Sequence, residues 1–278
     1  MNNFIKYHLE KLKQNNFNYP EIELRAILKK TSISKKEILF SNFNKEQINL
    51  SFFLKAFERR MQKEPIAKIF NEKYFWKHKF YVNNHVLDPR PETEHIIEGV
   101  KKYFPNNKIN LNIADLGTGS GCIAISLAKE YKNSNVTATD VSEEALQVAK
   151  KNSKKLKTNK QINFLRCDWI NFSAFYDIIV TNPPYLSEQE FEDSSTEIKN
   201  YEPKKALVGG DDGLHNYRIL AEKMLKIMNN NTISFVEIGN GQKAEVVKIF
   251  NSFLIKCDDI IVDHQNIDRI LVLKKKKY

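Results

Sequence analysis

Residues 113–121 read Ile-Ala-Asp-Leu-Gly-Thr-Gly-Ser-Gly, an apolar run that passes directly into a turn rich in glycine. The run is typical of a buried strand, and the residues after the turn have the pattern of a helix. Glycine has no Cβ to keep a ligand away from the backbone, and the first turn of a helix offers N–H groups without partners. The segment therefore predicts a strand, a ligand-binding turn and a helix, although a tight turn requires glycine even where nothing binds.

Strand-like and helix-like stretches alternate from the turn-like Asp88-Pro89-Arg90-Pro91 almost to the end of the chain. The stretches that predict strands are residues 109–116, 136–140, 162–166, 177–181, 232–238, 259–262 and 270–273. Those that predict helices include residues 122–131, 143–157 with Ser142 as the N-cap, 214–228 and 244–253. This alternation predicts an α/β fold, a Rossmann-like doubly wound and mostly parallel sheet.

The first part of the chain has a different pattern. Residues 4–61 are helical with short turns, and Pro20 suits a first helical position. Aromatic and β-branched residues then concentrate between 74 and 82, which favours a strand or a hairpin over a helix. We therefore expect a small helical domain at residues 1–66, a β-hairpin linker at 67–90 and the α/β domain at 91–278.

The composition is that of a folded chain, with 41% hydrophobic and 28% charged residues among 278. The formal net charge of +10 is compatible with an acidic partner. Lysine nevertheless recurs along the whole chain, so solvated helix faces explain the charge better than a dedicated nucleic-acid groove. Direct binding of nucleic acid is not expected.

Cysteine usage indicates a reducing compartment. Cys122, Cys167 and Cys257 lie far apart, with no Cys-x-x-Cys pair and no histidine at ligand spacing, which argues against a metal site and a disulfide framework. The first residues alternate apolar and charged groups, and no segment has the length and apolarity of a membrane span. We expect a cytoplasmic protein that does not bind membranes.

Acidic residues follow the next two predicted strands. Asp140 ends residues 136–140, and an acid at the tip of the second strand of such a sheet accepts hydrogen bonds from ribose hydroxyls. Asp168 and Trp169 follow residues 162–166, where the carboxylate would accept from an adenine amino group and the indole would pack the ring. Trp169 fits an ordinary core position equally well. The pattern predicts a nucleoside ligand.

The spacing of the glycines distinguishes between two nucleoside cofactors. Gly117, Gly119 and Gly121 form G-x-G-x-G, not the dinucleotide pattern G-x-G-x-x-G. Together with Asp115, two residues before the first glycine, this favours S-adenosylmethionine, although Asp115 would also serve simply to brace the turn. The candidate cofactor residues are Asp115, Gly117, Thr118, Gly119, Ser120, Gly121, Asp140, Asp168 and Trp169.

The run Asn182-Pro183-Pro184-Tyr185 follows the predicted strand 177–181, at the sheet edge where open α/β folds bind ligands. Tandem prolines make the loop stiff and leave carbonyls without ladder bonds. The Asn182 side-chain oxygen and the Pro183 carbonyl can accept both N–H bonds of a planar amide or amine, and Tyr185 can lie flat on it. We predict Asn182, Pro183 and Tyr185 as catalytic residues, and all four residues as substrate-binding. The run also occurs as an ordinary turn.

Residues 115–121, Asp140 and the run 182–185 together resemble the amino-methyltransferases, and their order resembles that of the release factor glutamine methyltransferases. The resemblance covers nearly the whole chain. Further stretches that resemble the family are Arg90-Pro91-x-Thr93-Glu94, Glu202-Pro203 with Ala206, Leu207 and Gly210, and Glu237-x-Gly239-x-x-Gln242. A departure is Lys68-Ile69-Phe70-Asn71, where the family has Tyr-Ile-x-Gly; asparagine tolerates a left-handed turn.

The resemblance implies a helical substrate-binding domain, a hairpin linker and a Rossmann-like catalytic domain. It implies transfer of a methyl group from S-adenosylmethionine to the side-chain N5 of the glutamine in the Gly-Gly-Gln motif of class I peptide chain release factors. Carried over to this chain, residues 117–121, Asp140, Trp169 and Asn182 would hold the methyl donor, and residues 182–185 would hold the glutamine.

Two other interpretations remain open. An adenine-N6 DNA methyltransferase would use the same Asn-Pro-Pro-Tyr run on a flipped base, but the segment 186–211 is short and acidic, which suits a phosphate backbone badly. A non-catalytic module that binds RNA or a translation factor would use the basic surface of a decayed enzyme. The intact motifs argue against that second alternative.

Overall fold

The computed structural model describes residues 2–34, 38–169 and 174–276. The chain folds into two compact units. The helical unit comprises Met1–Asn71 with Thr196–Tyr201, and the sheet unit comprises Glu72–Ser195 with Glu202–Tyr278. Within the described ranges, no helix is both long enough and apolar enough to cross a membrane.

The helices are α1 (Asn3–Gln14), α2 (Pro20–Thr31), α3 (Leu50–Met61), α4 (Ile66–Phe70), α5 (Glu94–Tyr103), α6 (Cys122–Glu130), α7 (Glu143–Lys155), α8 (Glu188–Glu192), α9 (Thr196–Tyr201), α10 (His215–Ile227) and α11 (Lys243–Ser252). The strands are β1 (Glu72–Phe75), β2 (His78–Tyr81), β3 (Asn112–Leu116), β4 (Asn135–Asp140), β5 (Ile162–Arg166), β6 (Tyr176–Thr181), β7 (Met228–Glu237), β8 (Ile255–Val262) and β9 (Asp268–Lys275). Short 3-10 helices occur at Phe40–Asn42, Lys45–Gln47, Pro91–Thr93 and Lys204–Ala206.

The helical unit is built on amphipathic helices. Ile5, Leu9 and Leu12 are spaced three or four positions apart on α1 and are buried in the core of this unit. Pro20 begins α2, as predicted, because the first helical position needs no N–H partner. Helix α4 ends at Phe70, and the φ of 51° and ψ of 40° at its C-cap Asn71 confirm the expected left-handed turn.

A buried arginine ties α9 to the other helices of the same unit. Arg60 of α3 is 3% exposed. Its Nε donates to Glu23 Oε2 at 2.7 Å and its Nη2 donates to Glu197 Oε1 at 2.8 Å. A guanidinium that has lost its water shell needs such partners, so the short helix α9 belongs to the helical unit although it lies far along the chain.

The sheet unit contains a sheet with the strand order β5-β4-β3-β6-β7-β9-β8. Neighbouring strands from β5 to β7 are parallel, and β9 lies antiparallel between β7 and β8. This confirms the mostly parallel Rossmann-like sheet. The strands β1 and β2 form a separate antiparallel hairpin from the predicted aromatic run.

The predicted strands are all present, with differences at their ends. Strand β3 begins at Asn112 and not at residue 109, because β4 begins at Asn135, opposite Asn112, and leaves residues 109–111 without a partner strand. Strand β7 begins earlier than predicted, at Met228, which pairs with Tyr176 of β6. Helix α10 consequently ends at Ile227.

The strand order changes direction at β3, because β4 lies beside it on one side and β6 on the other. Ligands of open α/β sheets bind at such a switch point, outside the carboxyl ends of the strands. Leu116 of β3 pairs with Thr181 of β6, so the glycine-rich turn and the run 182–185 leave the sheet side by side.

Candidate active site

A cavity of about 430 Å³ lies at the carboxyl ends of β3, β4 and β6, a size suited to a small molecule. It brings together most of the residues predicted from the sequence. These lining residues are Gly117, Thr118, Gly119, Ser120, Asp140, Asp168, Trp169, Asn182 and Pro184. The predicted residues Asp115, Gly121, Pro183 and Tyr185 do not form part of the described wall.

The three glycines of the turn have positive φ angles and three different surroundings. A Cβ on Gly117 would lie 3.2 Å from the Trp169 ring, and a Cβ on Gly121 would lie 3.1 Å from the Ala149 Cβ. A Cβ on Gly119, where φ is +54°, would meet no described atom within 4 Å. Close packing therefore requires glycine at Gly117 and Gly121, whereas the space beside the Gly119 backbone is open to a ligand.

Asp115 braces the turn from below. It is fully buried, and its Oδ2 accepts from Thr118 Oγ1 at 2.6 Å and from the Ala124 N–H at 3.0 Å. Its Oδ1 receives no hydrogen bond from the described residues. Burial raises the pKa of Asp115 to about 7, since the charged form has lost its water. The alternative considered above, a bracing role, agrees with this position.

Asp140 holds the turn and the next helix together. Its Oδ2 accepts from the Gly119 N–H at 2.8 Å, and its Oδ1 accepts from the Ser142 N–H at 2.9 Å. Each carboxylate oxygen keeps a second lone pair, so the side chain can still accept from a ligand in the cavity that it lines. Burial raises the pKa of Asp140 above its usual value. Ser142 caps α7, as predicted, by accepting from the Ala145 N–H.

Asp168 and Trp169 form one wall of the cavity. The Asp168 carboxylate is largely exposed and pairs with Lys223 Nζ at 3.0 Å. Trp169 has a positive φ of 59°, an uncommon conformation for a large residue. Its ring is half-buried against the apolar core and covers Gly117. Trp169 therefore packs against the core and lines the cavity at the same time.

The run 182–185 is held by side chains that the sequence did not indicate as its partners. Asn216 Nδ2 donates to the Pro184 carbonyl at 2.8 Å, and Gln242 Nε2 donates to the Tyr185 carbonyl at 2.9 Å. Neither bond belongs to the sheet, whose pairing on β6 ends at Thr181, so these carbonyls make no ladder bonds but are held by neighbouring side-chain amides. The Pro183 carbonyl receives no hydrogen bond within the described part of the chain.

The Asn182 side chain has a defined direction. Its Nδ2 donates to Thr93 Oγ1 at 3.0 Å, while no described residue donates to its Oδ1. Two acceptors, Asn182 Oδ1 and the Pro183 carbonyl, are thus left over in adjacent residues. Burial raises the pKa of Tyr185 to about 12, so its phenol stays neutral at physiological pH.

Asn152 was missed by the sequence reasoning. It is completely buried, its Oδ1 accepts from the Tyr81 N–H at 2.7 Å, and its Nδ2 donates to the Tyr81 and Ser120 carbonyls, each at 2.9 Å. One amide thereby joins the hairpin to the glycine-rich turn. The available signal was its place on the apolar stripe of α7, at positions 145, 148, 149 and 152, where a polar residue needs buried partners.

Comparisons with known proteins agree with this geometry. A family model described as a methyltransferase small domain matches residues 100–206. A methyltransferase from Pyrococcus furiosus shares the fold, with a TM-score of 0.52 and 18% identity over 82% of this chain and 98% of that chain. The release factor glutamine methyltransferase of Caulobacter vibrioides is 35% identical over 87% of this chain and 85% of that protein. The chain belongs to the release factor glutamine methyltransferase family.

Longer proteins also match this chain. A bifunctional methyltransferase of Rickettsia bellii is 35% identical over 96% of this chain and 53% of that protein. The chain spans about half the length of the rickettsial relatives that it matches.

Two of the stretches that resemble the release factor glutamine methyltransferase family are joined beside the cavity. Arg90 Nη2 donates to Glu202 Oε1 at 3.1 Å, which connects the wall segment before α5 to the wall segment after α9. Glu94 accepts from the Trp76 N–H at 2.8 Å and so holds the turn of the hairpin. The sequence motifs pointed to Arg90, Glu94 and Glu202, but the fold determines which groups they bind.

Proposed function

We propose that this chain transfers a methyl group from S-adenosylmethionine to N5 of the glutamine side chain in the Gly-Gly-Gln motif of class I peptide chain release factors. One observation carries the proposal. The open glycine-rich turn and the two acceptors of Asn182 and Pro183, to which no described residue donates, follow paired residues of β3 and β6. A donor site and a site for a planar amide therefore lie next to each other, and relatives named for this activity support the choice of substrate.

The cavity fits the proposed cofactor. When bound, S-adenosylmethionine supplies a methyl group on a positively charged sulfur. The free lone pairs of Asp140 are suited to accept from ribose hydroxyls, and Gly119 admits a ligand against the backbone. Trp169 provides a flat apolar wall, and Asp168 lies beside it with a largely exposed carboxylate. We assign residues 117–121, with Asp115 as their brace, to the same site.

The acceptor side of the site acts mainly by positioning. An amide nitrogen is a poor nucleophile because its lone pair is delocalised into the carbonyl group. Asn182 Oδ1 and the Pro183 carbonyl would accept both of its N–H bonds and aim the nitrogen at the donor. Tyr185 would lie against the planar group, with Pro184 keeping the loop stiff. Because the two acceptors are already oriented, little reorganisation is needed during transfer.

We assign substrate binding to the helical domain, residues 1–66, joined by the linker 67–90 to the methyltransferase domain 91–278. Large apolar side chains that are exposed concentrate in the helical unit. They are Tyr7, Tyr19, Ile22, Ile33, Leu39, Leu50, Phe52 and Leu54. Exposed apolar groups of this kind are typical of surfaces that bind another protein. Contacts remote from the reacting amide can supply the binding energy that orders a flexible loop.

The test is methyl transfer by the purified chain to three acceptors: a class I release factor, a short Gly-Gly-Gln peptide and duplex DNA. We expect transfer to the factor, much weaker transfer to the peptide and none to DNA. Asn182→Ala should lower turnover by about a hundredfold or more, as removal of one oriented active-site group does, with a smaller effect on cofactor affinity. Transfer to DNA at a comparable rate would favour the adenine methyltransferase, and no transfer despite cofactor binding would favour the non-catalytic module.

A further inference from the structure

We propose that Thr93 and Glu237 are positioning residues that orient the Asn182 carboxamide, so that its oxygen and not its NH2 group faces the acceptor amide. The inference rests on the proposed function and adds two residues to it. Neither residue belongs to the cofactor turn or to the run 182–185. Both act through Asn182.

Three separate elements bring these residues together. Thr93 ends the 3-10 helix Pro91–Thr93, Asn182 follows β6, and Glu237 is the last residue of β7. Thr181 of β6 pairs with Val236 of β7, so the register places Asn182 and Glu237 at neighbouring positions of the sheet edge. Thr93 and Glu237 are each 2% exposed, and water therefore cannot replace their hydrogen bonds.

The hydrogen bonds around Asn182 have one consistent direction. Asn182 Nδ2 donates to Thr93 Oγ1 at 3.0 Å, and the side chains of Thr93 and Asn182 both act to lower the pKa of the Glu237 carboxyl, which requires each of them to turn a hydrogen towards it. An ionised carboxylate only accepts, so the single Thr93 hydrogen points to Glu237 and a lone pair of Thr93 Oγ1 remains for Asn182. A flipped Asn182 would direct its oxygen at two acceptors. Its NH2 group is therefore held on this side, and Oδ1 is left for the cavity that Asn182 lines.

The orientation decides whether the acceptor can be held. The N–H groups of a glutamine side chain need an acceptor, which Asn182 Oδ1 provides. A flipped Asn182 would oppose N–H to N–H and lose that hydrogen bond. Such a flip only exchanges the oxygen and the NH2 group of Asn182, which are similar in size, so the shape of the pocket would stay almost unchanged. Thr93 and Glu237 therefore act through the direction of their hydrogen bonds and not through the space that they fill.

The ionisation of Glu237 is coupled to this arrangement. Burial raises the pKa of Glu237 to about 7, although the side chains of Thr93 and Asn182 act to lower it. Its Oε2 has no hydrogen-bond partner among the described residues. A protonated Glu237 can donate to Thr93, whose hydrogen then becomes free to point at Asn182, so the preference for one orientation is lost. Several charged or ionisable groups interact electrostatically with the Glu237 carboxylate. They are Glu92, Cys122, Tyr185, Tyr217 and Arg269.

The first experiment uses the full chain, a class I release factor and three variants. Thr93→Val keeps the shape but removes the hydroxyl, Thr93→Ser keeps the hydroxyl, and Thr139→Val makes the same change at a buried threonine whose hydroxyl has no described partner. We expect kcat to fall roughly tenfold or more for Thr93→Val, which corresponds to the loss of one oriented hydrogen bond. Thr93→Ser and Thr139→Val should stay near wild type, and the affinity for S-adenosylmethionine should change little in all three.

Wild-type kcat in Thr93→Val, or an equal loss in Thr93→Ser, would overturn the inference while leaving the proposed function intact. Absence of transfer by the wild type would overturn both. The second measurement is the pH dependence of kcat. We expect wild-type kcat to rise through one ionisation near neutral pH, and Glu237→Gln to lack this step because glutamine does not titrate. The same step in Glu237→Gln would contradict the role of Glu237.

Discussion

Replacement of Asn152 should destabilise the sheet unit far more than the loss of one polar side chain from a surface helix. The carboxamide makes hydrogen bonds with Tyr81 N, Tyr81 O and Ser120 O, and it is completely buried. Asn152→Ala leaves all three backbone groups without this partner. Asn152→Asp keeps the shape but directs a carboxylate oxygen at two carbonyl oxygens.

The expected magnitude follows from these contacts. A buried polar group left without a partner costs about 1–3 kcal/mol. Three such groups give about 3–6 kcal/mol after allowance for partial relaxation and for water that enters the space of the removed side chain. Asn152→Asp should cost at least as much although it is isosteric, because a buried charge without a counter-ion adds to the loss.

The assay is urea unfolding followed by tryptophan fluorescence. The chain has two tryptophans, Trp76 and Trp169, and both belong to the sheet unit, so the signal reports this unit. Asn133→Ala is the control, because Asn133 is exposed and donates one hydrogen bond, to the Lys108 carbonyl. We expect a large fall of the urea midpoint for both Asn152 variants and almost none for the control. If Asn152→Asp lowers the free energy of unfolding by less than about 1 kcal/mol, the reasoning is refuted.

Two further predictions concern carboxylates beside the glycine-rich turn. Asp140→Ala should lower the affinity for S-adenosylmethionine at least tenfold, since about 1.5–3 kcal/mol per charged hydrogen bond is lost and the turn also loses its tie at Gly119; unchanged affinity in calorimetry would contradict this placement of the ribose. Burial raises the pKa of Asp115 to about 7 from 3.8, so its contribution to stability is present at acidic pH and is lost as pH rises towards 7. The free energy of unfolding of the wild type should therefore fall by about 2–3 kcal/mol more than that of Asp115→Asn between pH 5 and pH 8, and parallel pH profiles of the two proteins would contradict it.

The local sequence pattern alone was enough to predict much of the secondary structure of this protein. The apolar run before Gly117, the helix cap Ser142 and the left-handed Asn71 each depend on a few neighbouring residues, whose conformational preferences act over the same distance. The alternation of strands and helices predicted the mostly parallel sheet and the edge at which Asn182 would lie. The position of the site was therefore predictable from the sequence.

The tertiary structure decided which atoms meet at that edge. Thr93, Asn182 and Glu237 are separated by 89 and 55 positions, and only the pairing of β6 with β7 and the placement of the 3-10 helix bring them together. The partners of Asp140 and of Asn152 were equally hidden from the pattern. Periodicity reports which face of an element is buried, but a hydrogen-bond partner depends on strand order and register, which are set by the packing of the whole sheet.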